Sequence, residues 1–135
     1  MIADSGFIYA LFNPQDTHHA RAMAFATQYS GGTVIPQIVL PEVSYVAERD
    51  LGYNGMTRLV GQIIQISAPL EPIIKADLER AYEIMTTYAN AEMDLVDCCI
   101  MAMLERLKIE EVATFDRRDF SIFRPKHCDY LTLLP

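Results

Sequence analysis

The chain has 135 residues, 51% of them hydrophobic, and a formal net charge of −7. That size predicts a single domain over residues 1–135 with a core of its own. The acidic balance argues against a broad basic nucleic-acid face, no apolar run approaches the ~20 residues of a membrane helix, and Cys98, Cys99 and Cys128 provide neither a disulfide framework nor a zinc site.

Met1 to Asp4 reads as a short strand without a basic leader, so a cytoplasmic location is expected. Ser5-Gly6 turns into a helix through Phe7, Ile8, Leu11 and Phe12, broken by Asn13-Pro14. A second helix spans about Thr17 to Tyr29 and leads to Gly31-Gly32; Thr33-Val34-Ile35 is the second strand, stopped by Pro36. The next helix begins near Pro41, carries Glu42, spaces Val43, Val46, Ala47 and Leu51 along one face, and ends at Gly52. Another follows from Gly55 to Gln65, then an extended stretch from Ile66 to Leu70. Ala76 to Tyr88 predicts an amphipathic helix with Leu78, Tyr82 and Met85 inward and the charges, Asp77 included, on other faces. Leu95 to Leu107 is apolar nearly all round, as suits a central helix, before a strand Val112–Phe115 and a last one within Tyr130–Leu134. This alternation predicts an α/β fold.

Four carboxylates, Asp4, Glu42, Asp97 and Asp116, interrupt apolar runs that contain no Lys or Arg. Burying an ionised group costs several kcal/mol unless a cation or a hydrogen-bond network compensates, so the expected partner is a positive group from outside the chain. Asp4 and Asp116 fall at strand ends, Glu42 and Asp97 in first helical turns, and a parallel sheet would bring all four to the edge where such folds bind ligands. Hard oxygen donors suit Mg²⁺ or Mn²⁺, whose natural chemistry with a phosphodiester is activation of water and in-line displacement. Six of the eleven basic residues lie between Arg106 and Lys126, so a polyanionic substrate stays open.

Ile2-Ala3-Asp4-Ser5-Gly6, Pro41-Glu42-Val43, Leu95-Val96-Asp97 and the run Ala113 to Phe120 resemble the successive acidic motifs of PIN-domain ribonucleases, and in particular the VapC toxins of bacterial toxin–antitoxin pairs. The resemblance implies a Rossmann-like α/β/α sandwich with a central, mainly parallel sheet, and Mg²⁺- or Mn²⁺-dependent endonucleolytic cleavage of RNA. It also implies a homodimer and inhibition by a VapB-like antitoxin. Position by position, Asp4, Glu42, Asp97 and Asp116 take the roles of the metal-holding, catalytic acids, and Ser5 and Thr114 support them through their hydroxyls. Cys98 and Leu104 stand where the family commonly has Ala, which implies altered packing of the central helix.

Some residues carry two readings. Asp94 is a helix N-cap or a metal contact, and Asp119 a capping residue or an accessory ligand. Arg117 and Arg118 hold substrate phosphate or make ordinary surface ion pairs. His18 and His19 are expected to face solvent. Two competing functions remain at this stage: a catalytically weak PIN-like module that binds an antitoxin and tunes operon repression, and a metal-dependent phosphatase, for which Asp4-Ser5-Gly6 lacks a second Asp two residues on.

Overall fold

A computed structural model describes all residues from Met1 to Pro135. Its sheet is built from five short parallel strands. β1 (Ile2–Ala3) pairs with β4 (Glu111–Ala113), Ile2 opposite Val112 and Ala3 opposite Ala113, and β5 (Thr132–Leu134) extends the sheet beyond β4. On the other flank β2 (Ile35–Pro36) pairs with β3 (Leu70–Glu71) and joins β1 through a parallel bridge between Ile2 and Val34, with Ala3 N–H donating to Val34 O at 3.0 Å. The spatial order is therefore β3-β2-β1-β4-β5.

That order fixes where a site belongs. The chain steps outward from β1 to β3, then returns across the sheet to β4, so its direction of progress reverses between β1 and β4. A parallel sheet opens a crevice beyond its carboxyl ends at such a switch point. Right-handed crossovers taken in opposite directions also put their helices on opposite faces. Helices α1 (Ser5–Phe12), α2 (His19–Gln28) and α3 (Leu40–Gln65) pack together on one, while α4 (Lys75–Thr87), α5 (Leu95–Leu107) and α6 (Arg118–Ile122) form the other layer.

The core lies between these layers. Ile2, Ala3, Val112 and Ala113 come from the sheet, Phe7 and Ile8 from α1, and α5 is buried without interruption from Cys98 to Glu105. Burial pushes the Cys98 thiol up to about 12 and Cys99 up to about 11, which makes them packing groups rather than nucleophiles.

Several elements differ from the sequence expectation. The inward face of α4 is Asp77, Ala81 and Ile84, whereas Leu78, Tyr82 and Met85 are exposed. Small Ala81 allows close helix contact, and α5 supplies what Asp77 needs: Arg106 Nε donates to its Oδ1 at 2.9 Å, while Asp77 Oδ2 accepts the Ile74 N–H at 3.0 Å. Pro36 belongs to β2 instead of stopping it, because the neighbouring Ile35 N–H makes the bond to Pro69 O, 3.0 Å. β4 ends at Ala113, α2 starts only at His19, and the short helix α6 had no sequence signal. By contrast, the two helices expected around Gly52 are both present: they meet within α3 at a kink where Gly52 stands at φ +70°, a conformation that favours glycine.

A second ion pair ties α4 to α5. Glu105 is 8% exposed and is gripped by Arg80, Nε to Oε2 at 2.7 Å and a second guanidinium nitrogen to Oε1 at 3.0 Å, with the Lys126 N–H completing the set at 2.8 Å. Burial alone would raise its pKa, but these donors hold it below the usual carboxylate range. Removing the cation leaves a buried charge unpaired, so Arg80→Ala is expected to cost about 3 kcal/mol in urea unfolding; a change below ~1 kcal/mol would show the pair to be an ordinary surface contact.

Candidate active site

Asp4 follows β1 directly and is the N-cap of α1. Its N–H donates to Ala113 O at 3.0 Å, its Oδ1 accepts the Phe7 N–H at 2.6 Å, and its side chain is 5% exposed. Across the switch point, buried Thr114 continues from β4, donating its hydroxyl to Asp116 O at 2.9 Å and lying beside the Asp4 carboxylate. Asp97 occupies the first turn of α5, where its N–H donates to Asp94 Oδ1 at 3.0 Å. Asp94 is thus the helix cap that orients Asp97, whatever else it does. Glu42 sits in the first turn of α3, exposed, and Asp116 is exposed beyond β4. The runs around these last two are buried only in part, Val39, Val43, Ala113 and Thr114 inside but Pro41 and Tyr45 exposed, and the two carboxylates are themselves exposed.

Electrostatics shows which of these groups share one space. Burial pushes Asp4 up to about 6, Thr114 and the Phe7 N–H pull it back, and repulsion from Glu42 and Asp116 raises it further. Burial is also the main reason that Asp97 is pushed up to about 8, reinforced by repulsion from Asp94, Asp4, Asp119 and Asp116. The structure therefore brings all four expected acids together, with Asp94 and Asp119 beside them. Ser5, at the start of α1, lines a small cavity with Glu42 of about 100 Å³.

Arg117 and Arg118 occupy the margin. The Arg117 guanidinium donates to Leu133 O and Pro135 O, while that of Arg118 donates to Ala91 O at 2.5 Å and lies 3.6 Å from Asp119 Oδ1. Neither forms an ion pair with the four central acids. His18 and His19, expected in solvent, each have a contact: His18 is exposed but stacked on Phe115, and His19 Nδ1 lies 2.8 Å from Ala10 O. The ring contact at His18 had no sequence signal, since it joins residues almost a hundred positions apart. A larger cleft, about 510 Å³, opens elsewhere, between the end of α1 and the distal arm of α3, and no Asp or Glu lines it.

The donor set fits a hard divalent cation. It consists of carboxylate and hydroxyl oxygens, Asp119 Oδ1 is buried without a hydrogen-bond donor, and Gly6 leaves open the space beside Asp4, where a β-carbon would stand 3.7 Å from Oδ1. No three acids, His or Cys already close around a common point as direct ligands.

The same charges set the pH response of the metal-free chain. Unfolded, Asp4 and Asp97 ionise near 3.8; folded, they do so at about 6 and about 8. The folded state holds protons that the unfolded state has released, so stability falls as pH rises through this window. In EDTA, the melting temperature is expected to drop between pH 5.5 and pH 8, and Asp97→Asn to melt ~5 °C or more above the unsubstituted chain at pH 8, the gap narrowing steadily as pH falls toward about 4. Parallel melting curves for the two proteins across pH would refute the shared, uncompensated charge.

Comparisons with known proteins point the same way. The PIN-domain family profile matches residues 1–124. Ribonuclease VapC26 of Mycobacterium tuberculosis is 23% identical over 135 residues, all of this chain and all of that protein. Among solved structures, the sarcin-ricin loop cleaving toxin VapC20 of M. tuberculosis superposes with a TM-score of 0.80 at 19% identity, covering 87% of this chain and 91% of its own. A toxin–antitoxin complex from Klebsiella pneumoniae gives 0.69 at 18% identity, covering 97% and 98%. With its strand order, its switch-point carboxylates and a family match over most of its length, the chain belongs to the PIN-domain family.

Proposed function

We propose that this chain is the toxin of a VapBC-type pair: an endoribonuclease, dependent on Mg²⁺ or Mn²⁺, that hydrolyses RNA phosphodiester bonds. The observation that carries this reading is that buried Asp4 and half-buried Asp97 have their pKa values raised by burial and by neighbouring carboxylates, with neither in an ion pair with a cation of the chain. Its other two buried acids are treated differently, Asp77 being paired with Arg106 and Glu105 with Arg80.

In this reading Asp4, Asp97, Asp116 and Glu42 would hold the ion, and Asp119 completes the negative field. Such a cation would supply activation of water and stabilisation of the charge that develops on the phosphate and leaving oxygen. The chain's own contribution is placement. Phe7 N–H fixes the Asp4 carboxylate, Asp94 caps α5 so that Asp97 projects from a defined first turn, and the Thr114 hydroxyl fixes the backbone that presents Asp116. Asp97 has to give up its proton before it can act as a donor oxygen, which the arriving positive charge promotes. Ser5 lends a hydroxyl beside Glu42, and Arg117 and Arg118 guide phosphate at the margin.

The partner is a VapB-like antitoxin, a reading supported by the family and by the toxin–antitoxin complex among the similar structures. Residues 1–135 act as one catalytic unit, paired as a homodimer in the cytoplasm. No helix is long and apolar enough to cross a membrane.

The test is cleavage of total cellular RNA by the antitoxin-free chain with Mg²⁺ or Mn²⁺, with new 5′ ends mapped. Discrete ends are expected, lost in EDTA and lowered more than about 100-fold by Asp97→Asn, beyond the ~10–100-fold typical of residues that only orient a metal ligand. A folded chain that binds Mn²⁺ yet leaves every RNA uncut would instead make it an antitoxin-binding module.

A further inference from the structure

A column of aromatic rings rises from the core to the rim of the carboxylate crevice. Phe25 meets Phe7 edge to face at 5.9 Å, Phe7 stacks on Phe115 at 6.0 Å, and His18 lies on Phe115 at 4.3 Å with 10° between the ring planes. Phe115 lies between Thr114 and Asp116 in the segment that follows β4, so the backbone carrying Asp116 also carries the ring on which His18 stacks. His18 is exposed, does not cap α2 with its side chain, and has no aromatic neighbour besides Phe115. Its imidazole is thus pinned flat by a rigid stack beneath it. The guanidiniums of Arg21 and Arg117 meet at Pro135 O, and Arg21 lies 5.8 Å from the Phe115 centroid. Neither arginine forms an ion pair with an Asp or Glu.

We propose that the outer face of His18 seats one unstacked base of the RNA strand, with Arg21 and Arg117 facing the adjoining phosphates. The inference rests on the nuclease reading above and names the form of RNA that it acts on. A base inside a duplex has both faces covered by its neighbours, whereas single-stranded or splayed nucleotides stack on aromatic or imidazole planes. In a chain of net charge −7, a broad phosphate-binding surface is missing, and a stacking seat supplies affinity that does not depend on many cations. Stacking also tolerates any base, so this seat selects strandedness while other contacts choose sequence.

The probe is a set of single-stranded RNA oligomers of about ten nucleotides carrying 2-aminopurine, whose fluorescence is quenched when the base stacks. Binding is read in the Asp97→Asn background, and cleavage in the otherwise unsubstituted chain. His18→Ala is expected to weaken binding about tenfold, abolish the quenching and raise KM with little change in kcat, while His18→Phe, which keeps a flat ring, restores all three. Quenching and KM that survive His18→Ala in a chain that still cleaves RNA would overturn the stacking seat, leave the nuclease reading standing, and reduce the column to a pin between α2 and the end of β4. A folded parent chain that neither binds nor cleaves any RNA would overturn both.

Discussion

Carboxylates without a counter-cation at the carboxyl edge of the sheet are the constraint from which the rest follows. β1 is only two residues long, and it delivers Asp4 into a position where the backbone supplies one N–H bond and Thr114 a nearby hydroxyl, but no positive charge. α5 delivers Asp97 to the same space; burial is the main reason both are raised, with Glu42 and Asp116 adding to Asp4 and Asp94, Asp4, Asp119 and Asp116 to Asp97. The fold supports this unfavourable arrangement with a continuous apolar core and with well-compensated acids elsewhere. The interface of α4 and α5 shows the contrast: there each buried carboxylate accepts hydrogen bonds from an arginine.

These two kinds of buried acid give the molecule opposed responses to protons. Glu105, held low by Arg80, contributes stability that is lost as acid protonates it, whereas Asp4 and Asp97 are relieved when they take up a proton. The site and its supporting interface are therefore adapted to different conditions unless a cation enters the crevice. Such an ion makes the ionised state of the site compatible with the ionised state of the interface.

Much of this was legible in the sequence, and the exceptions are instructive. Asp97 could be recognised because α5 is buried nearly all round, leaving a single acid conspicuous in its apolar run. Asp4 and Asp116 followed from strand ends, and Asp94 from its place just before a helix. α4 was misread because periodicity assigns the bulkiest residues to the interior; here Ala81 and the Asp77–Arg106 pair made the closer contact, and such a pair spans residues far apart in the chain. Glu42 was legible as a candidate near Asp4 but not as an exposed residue, since burial of its neighbours Val39 and Val43 says nothing of which way the intervening turn points. Pro36 shows that a residue without an N–H stops a strand only where that N–H is required. The column ending at His18 was out of reach for a different reason: ring stacking leaves no mark on local periodicity.

The bend in α3 has a mechanical meaning. A straight helix of 26 residues would be a rod ~39 Å long, passing any push at its far end to Glu42. Gly52 divides that rod into two arms with a joint between them. The distal arm carries Val60 and Ile64 outward, and Tyr53 stands exposed beside the joint. The first turn that carries Glu42 and the outer flank that carries Ile64 are therefore not ends of one continuous rod, and each arm is set by its own packing against the core, Val43 and Ala47 on one side of the joint and Leu59 and Ile63 on the other.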